Sequence, residues 1–199
     1  MSSAVCMPDI DPGFAAWWFG GWPGHAVDVV QRSCVARRDA GAMAWGDAAL
    51  TFSLEDATLW DWHHTCRLTP DRWPQALGRF AAFLCAQTPA LLHRLRSREE
   101  RQWGLSMAST QPLPRRLDWH SFESCTLEAL ALAELSFYFD EGFPGLWARV
   151  RQGVPAAWHD EAQGLREQLA GTMAAATPRR QWRAAAGWQR CIQATLELS

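Results

Sequence analysis

With 199 residues, 48% of them hydrophobic, the chain can bury a substantial core, and its whole length, 1–199, reads as one domain. A formal charge of -2 leaves no broad cationic field, which argues against nucleic acid and anionic lipid as partners. No stretch approaches the roughly 20 apolar residues of a bilayer-spanning helix, so direct membrane insertion is not expected.

Residues 1–24 carry the cluster Trp17, Trp18, Phe19 and Trp22, in a chain with thirteen Trp and a single Tyr. Trp fills cores and also anchors interfaces. Trp17, Trp18 and Trp22 are therefore candidate partner contacts, with docking of the segment on its own core as the alternative. The turn chemistry of Trp22-Pro23-Gly24 precedes a helix predicted over His25 to Arg38, whose basic last turn suits the negative end of the helix dipole. Residues 39–62 contain Gly41 and Gly46 and mix helix and strand signals, so they read as a less regular subregion.

From Leu68 helical spacing dominates. Thr69-Pro70-Asp71 predicts an N-cap with Pro at the first helical position, and Trp73, Ala76, Leu77, Phe80 and Leu84 then recur on one face to about Gln87. Thr88-Pro89 repeats the start signal, and Ser97-Arg98-Glu99-Glu100 is a capping-box pattern for a helix through Met107. Around that start gather Arg94, Arg96, Arg98 and Arg101. They form either a patch for an acidic or phosphorylated surface or a solvated face of internal Glu–Arg pairs. Residues 111–117 read as an internal loop, and Asp118 or Ser121 is expected to open the next helix.

That helix is apolar on nearly every side. Leu127, Leu130, Ala131, Leu135 and Tyr138 share one arc, and Ala129, Ala133 and Ser136 form a small-residue back that lets a neighbour approach closely. It should lie at the centre, and Glu134 on its apolar arc then needs an Arg within the fold or a partner to pair with. Gly142-Phe143-Pro144 stops and restarts the chain. Two amphipathic helices are predicted over Pro155 to Ala176 and Pro178 to Leu198, the second capped by Thr177. In the last helix a stripe of Trp182, Ala185, Ile192 and Leu196 is expected to be buried, with Arg179, Arg183, Arg190 and Glu197 outside. The fold class is mainly α, a single multi-helix domain of about seven helices with a less regular N-terminal subregion.

Chemistry-bearing residues are few. Asp61, His63, His64 and Cys66 lie within six residues, but adjacent His side chains diverge on a regular backbone, whereas HExxH or CxxC spacing aims two ligands to one side. No metal or other cofactor is expected. A small helical metal-dependent enzyme built on His63, His64 and Cys66 is the alternative. The six Cys, at 6, 34, 66, 85, 125 and 191, lack CxxC spacing and read as free thiols. No GxSxG or GxxxxGK motif is present, and no enzymatic activity is expected.

The block LTPDRWPQALGRFAAFLCAQTPALLHRLRSREERQWGL, followed by ALALAELSFYFDEGFPGLWARVRQGVP, resembles the SctK family (YscK, PscK and relatives), cytosolic sorting-platform proteins of bacterial type III secretion systems. The likeness runs from about Leu50 to Pro155 in order, spacing and texture, and does not extend to the first 24 residues. It implies a mostly α-helical adaptor without a cofactor, cytoplasmic and peripheral at the inner membrane. Its implied partners are the cytoplasmic domain of an SctD-like ring protein and an SctQ-like pod protein. A secretion chaperone or regulator is the alternative within the same apparatus.

Overall fold

The computed structural model describes Phe14, Trp17 and residues 62–113, 124–142, 146–151, 153–170 and 177–197. The helix predicted over His25 to Arg38, the subregion 39–62 apart from Trp62, and the start expected at Asp118 or Ser121 lie outside them. Among the described residues helix predominates and no strand occurs, so the fold is mainly α.

Trp62 leads into a 3-10 helix, His63–Arg67. Helix α1, Trp73–Ala86, begins later than Thr69-Pro70-Asp71 suggests. Those residues make a turn instead, closed by the Arg72 N–H donating to the Thr69 carbonyl at 2.9 Å. Pro74 takes the place assigned to Pro70, since a first-turn residue has no N–H to lose from the helical ladder. Thr88-Pro89 opens a second 3-10 helix, Pro89–Arg94, and not an α-helix.

Helix α2, Arg98–Thr110, starts on the capping box as written in the sequence: the Glu100 N–H donates to Ser97 Oγ at 3.0 Å and the Ser97 N–H donates to Glu100 Oε2 at 3.0 Å. It runs three residues past the predicted Met107. The central helix α3, Leu127–Gly142, is opened by Thr126, whose Oγ accepts the Ala129 N–H at 3.2 Å. Thr126 is itself held by Glu161, which accepts its N–H at 3.1 Å and its hydroxyl at 2.6 Å. After the break come α4, Leu146–Arg151, α5, Ala156–Ala170, and α6, Pro178–Leu196, the last capped by Thr177 as predicted. Glu161 belongs to α5, so one carboxylate fixes where α3 begins.

Two helices organise the packing. Helix α1 touches α2, α3 and α6, while α3 touches α1, α4, α5 and α6. Every α3 side chain from Ala129 to Phe139 except Phe137 is buried, as its apolar circumference requires. Trp188 of α6 is the hub of the other contact: its ring lies 5.7 Å from Trp73 and 5.8 Å from Phe80, edge to face with the latter, and its indole N–H donates to Thr65 Oγ1 at 3.0 Å. Trp62 packs edge to face on Phe139 at 5.1 Å. Helices α1 and α2 meet where Gly104 faces the backbone of Ala82.

The buried stripe of α6 differs from the expected one. Ala185 and Ile192 are buried, but the face centres on Arg180, Ala184, Trp188, Cys191 and Thr195. Trp182 is 57% exposed. It stands six residues from Trp188, about 120° away around the helix, which places it with the arginines.

Cys85 and Cys191 are free, buried thiols; Cys125 is buried and Cys66 half-buried, while Cys6 and Cys34 lie outside the described residues. Burial pushes the Cys85 thiol from 9.0 up to about 12, and it pushes Cys125 and Cys191 upward as well. A thiol raised in the folded state stabilises the fold below its unfolded pKa, and that contribution is lost as the pH climbs toward the folded value. Stability is therefore expected to fall between pH 9.0 and about 12, with the unfolded thiolates pulling the equilibrium. Urea midpoints across this range should show a shallower decline in Cys85→Ala; an unchanged slope would remove the buried thiol as its cause.

Candidate interaction surface

The structure separates the residues singled out in the sequence. Trp17 is buried at 8% exposure beside Phe14, with ring centroids 5.9 Å apart. The Arg149 guanidinium lies 5.1 Å over its ring and donates to the Trp17 carbonyl. Arg149 is itself buried on α4, and desolvation lowers its pKa to about 10. For Trp17 the structure thus favours docking on the protein's own core over partner contact. Trp18 and Trp22 lie outside the described residues.

The arginine run divides in the same way. Arg94 is half-buried and turned inward: it donates to the Cys125 carbonyl and approaches Cys125 Sγ at 3.8 Å, tying the second 3-10 helix to the segment that leads into α3. It is a clamp, and no part of an outward patch. Arg96, Arg98 and Arg101 are exposed. Arg101 donates through Nε to the Leu95 carbonyl at 3.0 Å. Among the described residues the guanidinium groups of Arg96 and Arg98 make no hydrogen bond or ion pair, and Glu100 Oε2 accepts the backbone N–H groups of Arg96 and Ser97 instead. Internal Glu–Arg pairing, the alternative reading of this run, is not formed at these two positions.

Beside them a groove of about 330 Å³ opens between α1, α2 and the start of α3. Glu99, Glu100 and Glu128 line it, and Arg79 and Trp103 form a stacked pair along it. The Arg79 guanidinium sits 5.0 Å over the Trp103 ring, and the Trp103 indole donates to the Arg79 carbonyl at 3.1 Å. Both side chains are thereby fixed in place.

The His63 and His64 rings do not diverge; their centroids are 3.8 Å apart in the tight 3-10 turn. His64 Nε2 faces the Gln189 amide at 2.9 Å. Among the described residues no three His, Cys, Asp or Glu side chains converge on a position that could hold a metal, and Asp61 lies outside them. The raised thiols of Cys85 and Cys191 are the opposite of what a nucleophile needs.

Glu134 finds its arginine within the fold. Arg180 Nη2 lies 2.7 Å from Glu134 Oε1, and the Tyr138 hydroxyl donates to the same oxygen at 2.6 Å. Arg180 Nε also donates to the Tyr138 hydroxyl. This closed triangle joins α3 to α6 in the interior.

One feature of the surface escaped the sequence reading. Trp182 and Leu105, the latter 51% exposed, are large apolar side chains left in solvent. For Trp182 the signal was present in its spacing, since it shares a helical face with Arg179, Arg183 and Arg190. No family model, curated protein or solved structure matches this chain.

Proposed function

We propose that the chain is a non-catalytic adaptor of a bacterial type III secretion system, joining an SctQ-like pod protein to the cytoplasmic domain of an SctD-like inner-membrane ring protein. The resemblance of Leu50 to Pro155 to the SctK family supports the choice of apparatus. The observation that carries the adaptor role is the pair Arg96 and Arg98, exposed at the start of α2 with guanidinium groups that meet no internal acceptor among the described residues. Arg98 opens a helix pinned by a complete capping box and by the Trp103–Arg79 stack, and Arg96, just ahead of the cap, is held by its backbone N–H donating to Glu100 Oε2, so their position is set before a partner arrives. Guanidinium groups presented in this way pair bidentately with carboxylates. No helix among the described residues is long and apolar enough to cross a membrane, so attachment to the membrane runs through the ring protein in this reading. The adaptor acts by position and needs no cofactor.

Size-exclusion chromatography with light scattering tests it, using the full chain with the SctD-like cytoplasmic domain and the SctQ-like protein of the same genome. A stoichiometric complex is expected, weakened about tenfold by Arg96→Glu with Arg98→Glu, a 1.4 kcal/mol effect. No complex with either protein at tens of micromolar would overturn the proposal.

A further inference from the structure

The outer face of α6 has a composition that the fold itself does not use. Arg179, Trp182, Arg183, Ala186, Arg190 and Gln193 fall within an arc of about 100° on the helical wheel and form one stripe. The opposite side of the same helix is the buried face around Trp188. Residues 178–196 contain four arginines and no carboxylate; Arg180 points inward to Glu134, while the other three lie on the stripe. Arg179 and Arg190 are exposed and make no hydrogen bond or ion pair among the described residues, and Arg183 spends one N–H on the Pro112 carbonyl at 2.9 Å. The described acid nearest along the stripe is Glu197, beyond the far end of the helix.

Two physical costs attach to this arrangement. Arg179 stands in the first turn, where the positive end of the helix dipole repels cations. A half-exposed indole among the arginines forgoes burial. Both are offset when an anionic, partly apolar surface covers the stripe: the charges and the dipole then act together, and the Trp becomes a desolvated anchor.

We infer that this stripe is a docking surface for an acidic protein segment, with Trp182 as its anchor and Arg179, Arg183 and Arg190 pairing with Asp or Glu side chains. The inference rests on the adaptor reading for the class of occupant and adds a second surface, distinct from Arg96 and Arg98. Charge selects this occupant among the alternatives. A second copy applying the same stripe would set Arg against Arg, and a chain of net charge -2 is a poor ligand for nucleic acid.

The test uses the full chain with poly-L-glutamate as probe, followed by nitrogen-resolved NMR of the Trp182 indole and the stripe amides. Saturable shifts at Trp182 are expected that weaken several-fold between 50 and 300 mM salt, values chosen on the scale of charge screening. Poly-L-lysine should leave these signals in place. Arg179→Glu with Arg190→Glu, two solvent-facing positions that disturb no internal contact, should weaken binding at least about tenfold, as should Trp182→Ala. Shifts confined to other arginines, or binding unaffected by these variants, would overturn the inference. So would a concentration-dependent dimer of the chain that Trp182→Ala abolishes. Loss of the ring and pod complexes with poly-L-glutamate binding intact would sink the adaptor reading and leave the acidic docking face standing.

Discussion

Replacing Arg180 with Ala is expected to destabilise the protein by about 3–5 kcal/mol, because it strands a carboxylate in the core. Glu134 is 1% exposed and Arg180 9%, and among the described residues their 2.7 Å contact is the only ionic compensation for that carboxylate. The second oxygen, Glu134 Oε2, is buried without a hydrogen-bond partner, so little reserve exists once the guanidinium is gone. The neutral Tyr138 hydroxyl would remain, and it also loses the donor that Arg180 Nε provides. The double replacement Glu134→Leu with Arg180→Leu removes both charges together and should recover most of the loss, since apolar groups of similar volume replace buried ion pairs well. Urea unfolding of the two single variants and the double variant closes the cycle. A loss below about 1 kcal/mol for Arg180→Ala would show the pair to be hydrated and the triangle to matter little.

The second large effect concerns Gly104, where α2 crosses α1. A Cβ at this position would stand 2.3 Å from the Ala82 carbonyl oxygen and 2.8 Å from its carbon. Backbone atoms cannot rotate aside as a side chain can, so the helices must separate. Gly104→Ala is expected to lower stability by about 1–3 kcal/mol through overpacking, despite the roughly 1 kcal/mol that Ala gains over Gly inside a helix. Gly78 is the internal control. It lies in α1 with nothing within 4 Å of an added Cβ. Gly78→Ala should therefore stabilise by up to about 1 kcal/mol, and thermal unfolding should move the two variants in opposite directions. A rise in Tm for Gly104→Ala would mean that the crossing is looser than the geometry describes.

The local signals of the sequence carried most of the helical framework. Ser97 and Glu100 wrote their capping box directly, Thr177 capped its helix, and α3 had so little polar surface that only a central position suited it. The helix start expected at Thr69-Pro70-Asp71 is not formed: those residues close a turn, and the first-turn proline is Pro74, four residues on, because a Thr-Pro-Asp signal fits a turn as well as a helix N-terminus. Glu134 announced that it needed a cation, but sequence spacing carries no information on contacts across 46 residues, so Arg180 could not be named.

Surface assignments were less legible for the same reason. Arg94 and Arg96 are two residues apart in one charged run, yet one is bonded to the backbone at Cys125 and the other faces solvent. The difference is made by residues 31 positions away. Trp182 stood at the edge of an expected stripe that was itself coherent around the helix; the buried face is instead centred on Trp188, about 120° from Trp182, which leaves Trp182 among the arginines.

The Tyr138 hydroxyl sits inside the joint between α3 and α6, and Tyr138 is the only tyrosine in the chain. Biosynthetic incorporation of 3-fluorotyrosine would thus yield a single fluorine resonance with no assignment step. Its spin would lie on α3, one side chain away from Arg180 of α6, the helix that carries Trp182 on its outer surface. Occupancy outside the molecule would be legible as a change in line position at its centre.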